Sequence, residues 1–240
     1  METVARFEEA GGKRVEFQTT QGRETSWLLP AAENRPPEHF WIVCAGNASE
    51  ALSLSDLQAY SGLRQDAFLF VDYPGYGVSE GSPAPETIVE NLRKAVPLAA
   101  KAAGFPMSEM GTRGVVFGHS LGAAAALLAA EEFSVKRAVL LAPFTSTMEM
   151  TGVVVHLPLG WLVRHRFDNR ARLGSLAKRG GHAWIFSGSD DGVVPVTMGR
   201  ELSFELGRNG TFREVPGGGH NDLLEKAHDE FIQAMHDARK

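Results

Sequence analysis

A serine held between two glycines, where a strand-like apolar run gives way to an alanine-rich one, constrains this chain more than any other feature. The stretch reads Val115-Val116-Phe117-Gly118-His119-Ser120-Leu121-Gly122-Ala123-Ala124-Ala125. G-x-S-x-G at such a junction predicts a strand, a sharp turn and a helix, with the hydroxyl exposed at the apex. The glycines have a steric task, because strand and helix backbones converge there and a strained turn needs neighbours without side chains. The helix start brings unpaired N–H groups and the positive end of a dipole, both suited to an oxyanion. Glycine is abundant, at 26 of 240 residues, so the motif alone is weak. Its context on both sides is what chance does not supply.

The rest of the chain supplies a fold that fits. Residues 15–20 and 24–29 read as two strands around Gln21-Gly22, and residues 31–38 as a proline-flanked loop. Phe40-Trp41-Ile42-Val43-Cys44-Ala45 is a continuous apolar run, as expected of a strand buried on both faces. Helix is expected over 52–63, strand over 67–71, a glycine-punctuated loop over 72–81 and helix over 86–103. The elbow strand and its helix follow, then a strand over 135–141. This alternation predicts a parallel sheet covered by helices on both faces. Residues 144–181 break the rhythm and are read as a lid or cap inserted into the domain. Strand (183–186), helix (196–206), strand (211–215) and a closing helix (221–238) complete one domain, 1–240.

A serine hydroxyl is a poor nucleophile until a base removes its proton, and the base should be a histidine oriented by a carboxylate. On this architecture the order is serine, acid, histidine, each on a loop leaving the C-terminal end of a strand. After Ser120 two places qualify. Gly188-Ser189-Asp190-Asp191 follows one strand and offers two competing aspartates. Gly217-Gly218-Gly219-His220 follows the last strand. Of the eight histidines, His39 and His119 precede the acid, and His156 and His165 fall in the lid. His182 opens a strand, and His228 and His236 sit on the terminal helix. His220 is the candidate base. The oxyanion hole needs two backbone donors, for which the N–H groups of Leu121 and Asn47 are the candidates.

Composition narrows the alternatives. A net charge of −5 with no basic block argues against a nucleic-acid partner. The one cysteine, Cys44, excludes an intramolecular disulfide and reads as an inert core residue. No metal set with sensible spacing and no cofactor loop is read. Gly75, Gly77 and Gly81 lack dinucleotide-loop spacing, and Pro83 and Pro85 interrupt where its helix would open. The charged stretch 1–13 lacks the apolar core of a signal peptide, and 153–163 is too interrupted to span a bilayer, so a soluble cytoplasmic protein is expected.

Taken together, these residues resemble the α/β-hydrolase superfamily, and within it the compact serine hydrolases with a G-N-A oxyanion loop, the depalmitoylase-like and bud-emergence-type members. The matching segments are Gly46-Asn47-Ala48, Asp72 through Pro83, Gly118 through Gly122, Gly188 through Pro195 and Gly219 through Asp222, in order. The resemblance implies an α/β-hydrolase fold, a triad of Ser120, Asp191 (not Asp190) and His220, and oxyanion donors at Asn47 and Leu121. Phe144-Thr145-Ser146 and Arg166-Phe167-Asp168 look like the family's lid region. One departure is Ala45, which stands where the family has a loop-bracing histidine.

The expected activity is hydrolysis of an ester, thioester or amide in a small-molecule or acylated substrate. Phe144, Met148 and Trp161, with other apolar lid residues, are candidate substrate contacts and favour an apolar acyl or aryl group. A hydrolase-fold protein that only binds its ligand is one rival. An enzyme that uses the same triad to cleave a C–C bond or exchange peroxide is another.

Overall fold

The computed structural model describes residues 2–32, 35–155 and 165–240. The chain begins with helix α1 (Glu2–Glu9), followed by strands β1 (Lys13–Thr19), β2 (Gly22–Leu29) and β3 (Phe40–Cys44). A short 3-10 turn at Ala51–Leu54 precedes α2 (Leu57–Ser61) and β4 (Ala67–Val71). Next come α3 (Pro85–Ala103), α4 (Met110–Arg113), β5 (Gly114–His119), α5 (Leu121–Glu132) and β6 (Arg137–Leu141). The chain closes with α6 (Thr147–Val155), α7 (Asn169–Lys178), β7 (His182–Gly188), α8 (Val196–Leu206), β8 (Gly210–Val215), α9 (Leu223–Lys226) and α10 (His228–Asp237).

The strands form one eight-stranded sheet in the order β1-β2-β4-β3-β5-β6-β7-β8. β2 is antiparallel to both its neighbours, and β3 through β8 are mutually parallel. The central strands are buried on both faces because their side chains divide between two cores. Phe40, Ile42, Leu69 and Val116 face the core under α3, α5, α7 and α8. Trp41, Val43, Phe68, Phe70 and Phe117 face the core under α1, α2 and α10. Helix α5 is buried from Gly122 through Ala130. Its alanines let it lie close on the sheet, which larger side chains would prevent. This is the α/β-hydrolase fold, with helices on both sides of a mostly parallel sheet.

Local expectations are refined at several points. The helix expected over 52–63 is broken into the 3-10 turn and α2, with Ser53 Oγ donating to the Glu50 carbonyl at 2.7 Å. Serine hydroxyls compete for backbone groups in this way. The closing helix is interrupted at Ala227. The charged start of the chain folds as α1, whose Phe7 packs edge-on against Trp27 and Phe70 at 6.1 and 6.0 Å between ring centroids. A single buried aromatic is too sparse a signal for sequence periodicity to reveal.

The stretch 144–181 divides in two. Thr147 N–H donates to the Phe167 carbonyl at 3.0 Å and Asn169 N–H to the Thr145 carbonyl at 3.0 Å, so the chain leaves and returns at one point. Beyond that pinch, Asp168 caps α7 by accepting from Ala171 N–H at 2.9 Å. Leu173 and Leu176 of α7 are buried in the main core, so α7 belongs to the body of the domain. Among the described residues, no helix is long and apolar enough to cross a membrane.

Candidate active site

Ser120 sits between β5 and α5 with φ +56° and ψ −118°, a conformation that non-glycine residues rarely adopt. Such strain costs of order 1–3 kcal/mol and persists only where the surroundings over-determine it. They do so here. Ser120 N–H donates to the Leu141 carbonyl at 2.9 Å, tying the turn to β6. A Cβ on Gly118 would stand 2.3 Å from the Gly122 carbonyl oxygen, and one on Gly122 only 2.0 Å from that of Cys44. Both glycines are therefore required by backbone contact. Leu121 opens α5, so its N–H has no acceptor within the helix.

His220 and Asp191 come together from the ends of β8 and β7. His220 Nδ1 lies 2.8 Å from Asp191 Oδ2. A carboxylate only accepts, so Nδ1 carries the proton and the Nε2 of a neutral ring is left as a base. The Asp191 side chain is wholly shielded from solvent, and its Oδ1 accepts from Val193 and Val194 N–H at 2.8 and 2.9 Å. Burial raises the Asp191 pKa, but the hydrogen bonds from His220, Val194 and Val193 outweigh it and hold the group below its ordinary value. Asp190 is exposed and accepts instead from Ser189 Oγ at 2.8 Å. The two loops touch through glycine: a Cβ on Gly188 would meet the Gly218 carbonyl oxygen at 2.1 Å.

His119 links this pair to the elbow. Its Nε2 lies 2.8 Å from the His220 carbonyl oxygen, which can only accept, so His119 is the donor. The two rings are 4.9 Å apart. Burial pushes the His119 imidazole below its usual range, against the raising effect of that hydrogen bond. Sequence order excludes His119 as the base and says nothing of this contact.

The loop after β3 lies beside the elbow because β3 and β5 are neighbours, with Cys44 paired to Gly118. Gly46 through Ser49 form a turn closed by Ser49 N–H donating to the Gly46 carbonyl at 3.2 Å, with Ala48 at φ +58°. Asn47 is exposed, and its N–H takes part in no hydrogen bond among the described residues. Three residues of the 72–81 loop hold this turn and its exit. Tyr73 Oη donates to the Ala45 carbonyl at 2.7 Å, Tyr76 Oη donates to Asn47 Oδ1 at 2.6 Å, and Ala51 N–H donates to Asp72 Oδ1 at 2.7 Å. Asp72 also accepts from Trp27 Nε1 at 2.8 Å. Burial raises the Asp72 carboxyl pKa. The spacing D-Y-x-G-Y marks Tyr73 and Tyr76 in the sequence, yet only the fold reveals which carbonyl and amide they reach.

The candidate substrate contacts scatter. Phe144 is buried in the core, with its carbonyl accepting from Asn169 Nδ2 at 2.8 Å. Met148 on α6 is 43% exposed, whereas Met150 and Val153 pack partly against the core. Trp161 lies outside the described residues. Cys44 is fully buried, and burial pushes its thiol up to about 12, in keeping with an inert core residue.

One set of potential metal ligands does assemble among the described residues, from the adjacent Glu38 and His39 and the distant Asp66, a spacing that suggests no site in the sequence. Glu38, His39 and Asp66 bring ligand atoms within 4.8 Å of one another. It lies at the opposite, N-terminal edge of β3 and β4, and a cation already occupies it: Arg239 reaches Asp66 Oδ2 at 2.9 Å and Glu38 Oε2 at 2.5 Å. The guanidinium fills the role a metal would have.

Comparison with known proteins gives a consistent result. The model of the alpha/beta hydrolase family matches residues 39–188. An uncharacterized protein of Mycobacterium tuberculosis (strain H37Rv) is 31% identical over 213 residues, covering 88% of this chain and 73% of its own length. Among solved structures, an alpha-beta hydrolase from Vibrio vulnificus superposes with a TM-score of 0.72 at 20% identity, covering 97% of this chain and 85% of that one. An esterase from Pyrococcus furiosus does so with a TM-score of 0.72 at 15% identity, covering 97% and 91%. At these identities the structural likeness speaks to the fold.

Proposed function

The chain belongs to the alpha/beta hydrolase family, and on that premise we propose that it is a serine hydrolase cleaving an ester, thioester or amide through an acyl-Ser120 intermediate. The observation that carries this reading is a serine at φ +56° on a glycine-flanked strand-to-helix turn, with a hydrogen-bonded His220–Asp191 pair tied to that turn through His119. Strained backbone is retained where it serves a site.

In this mechanism Ser120 Oγ attacks the substrate carbonyl carbon while His220 Nε2 takes its proton. Asp191 holds the imidazole in the required tautomer and stabilises the imidazolium. The N–H groups of Asn47 and Leu121 receive the oxyanion. His220 then passes its proton to the leaving oxygen, sulfur or nitrogen as the carbonyl bond to it breaks. A water, deprotonated by His220, attacks the acyl-serine, and the same proton returns to Ser120 as the acid product departs. No step calls for a cofactor or a metal.

Of the stretch 144–181 read as a lid, α6 is the described part that stays outside the core, with Met148 as its exposed apolar residue. The preferred substrate carries an apolar acyl or aryl group and is a small or acylated molecule. Esterase activity in structural neighbours, such as that from Pyrococcus furiosus, agrees with this reading.

Fluorophosphonate labelling tests it. The wild-type chain is expected to label and the Ser120→Ala chain to remain unlabelled. No label on the wild type, or equal label on both, removes the serine-hydrolase reading in favour of a hydrolase-fold protein that only binds its ligand.

A further inference from the structure

The loop bearing the second proposed oxyanion donor is held mainly from outside itself. Its turn, Gly46 to Ser49, has one closing hydrogen bond of 3.2 Å and carries Ala48 at φ +58°, in the left-handed region that favours glycine. A short turn with a strained residue and an exposed tip has little of its own to fix the direction of one N–H. The 72–81 loop supplies what is missing. Tyr73 fixes the turn's entry through the Ala45 carbonyl, and Asp72 fixes its exit through Ala51 N–H. Tyr76 reaches the tip itself, 2.6 Å from Asn47 Oδ1 and 3.5 Å from Ala48 N. Its ring stands edge-on against Tyr73, 5.2 Å between centroids, so the phenol is set by packing on a buried neighbour.

We propose that Tyr76 is a positioning residue for catalysis, and that the side chain of Asn47 is the handle by which it aims the Asn47 backbone N–H at the oxyanion. This rests on the serine-hydrolase reading above. It separates two roles within one residue: the Asn47 backbone donates to the reacting oxygen, and its carboxamide only receives the Tyr76 hydroxyl. In this role the Tyr76 hydroxyl acts on the loop and not on the substrate. Its effect is felt where the N–H matters most, on the transition state, and hardly in ground-state binding.

The consequence is measurable by removing either end of one hydrogen bond. Tyr76→Phe takes away the hydroxyl and keeps the ring, and Asn47→Ala takes away the carboxamide and keeps the N–H. Each is expected to lower kcat for p-nitrophenyl butyrate by about tenfold, the worth of one well-placed hydrogen bond, with KM changed less than about twofold. The double variant is expected to fall no further than the single ones, because both remove the same contact. The pH–rate profile should keep its shape, since His220 and Asp191 are untouched. The rate of fluorophosphonate labelling should fall in parallel with kcat. Wild-type kcat and labelling rate in both single variants would overturn the proposal, as would additive losses in the double variant. Asn47 is exposed, so Asn47→Ala keeps the test decisive even if Tyr76→Phe fails to fold. If instead the wild type does not label at Ser120, the serine-hydrolase reading fails first, and the two failures are distinguishable.

Discussion

Gly122 stands against Cys44 so closely that a Cβ on the glycine would lie 2.0 Å from the Cys44 carbonyl oxygen. The first turn of α5 and the end of β3 are thus in backbone contact, and the elbow and the oxyanion loop are built against each other. Ala45 adds to the contact, its carbonyl oxygen 2.5 Å from the same hypothetical atom. A side chain at this position has to push two backbone segments apart.

Gly122→Ala is therefore expected to destabilise the fold by about 3 kcal/mol, the upper part of the usual range for overpacking, since the obstacle is backbone. Gly174→Ala in α7 is the contrast: nothing lies within 4 Å of its hypothetical Cβ. In a helix interior that change is expected to stabilise by about 0.5–1 kcal/mol. Urea unfolding of the two variants checks both signs.

Asp191→Asn is expected to lower kcat by about 10⁴-fold, because a carboxamide no longer enforces the proton on His220 Nδ1. The same variant has a signature in stability. The folded-state pKa of Asp191 lies below its ordinary 3.8. The native state thus binds the proton less readily than the unfolded chain, and the carboxylate contributes stability that is full above pH 3.8. That contribution is lost as pH falls through the folded value. The stability gap between wild type and variant should narrow as pH is lowered from about 6 toward 3. A gap that widens on acidification would contradict the hydrogen-bonding account of this carboxylate.

Substrate preference offers a further check, on the lid. With Met148 exposed on α6 and Met150 and Val153 packed partly against the core, esters of medium-length acids should be hydrolysed best. Values of kcat/KM for acetyl, butyryl and octanoyl p-nitrophenyl esters are expected to peak in the middle. A flat series would take the apolar stripe out of substrate binding and leave it as packing.

The local features of this protein were written in its sequence. The runs 40–45 and 67–71 are apolar because both faces of their strands are covered, and Gly118 and Gly122 flank a serine because backbones converge there. Such requirements act within a few residues, so composition and spacing express them directly. Even the order of the elements and the strand-end loops that carry His220 and the Asp190-Asp191 pair follow from short-range patterns, while the choice of Asp191 comes from the family resemblance. Which distant groups meet depends instead on the order of the strands in the sheet. Strand order, with β3 between β4 and β5 and β7 beside β8, brings Tyr76 to Asn47 and Asp191 to His220, and turns His119 onto the His220 carbonyl. It also made α7 part of the body, because Leu173 and Leu176 find the main core there. Phe7 likewise finds Trp27 and Phe70 across the sheet face. A hydrogen bond between residues 29 or 101 positions apart leaves no periodic trace in the chain, since its partners are chosen by the sheet that carries them to the same edge.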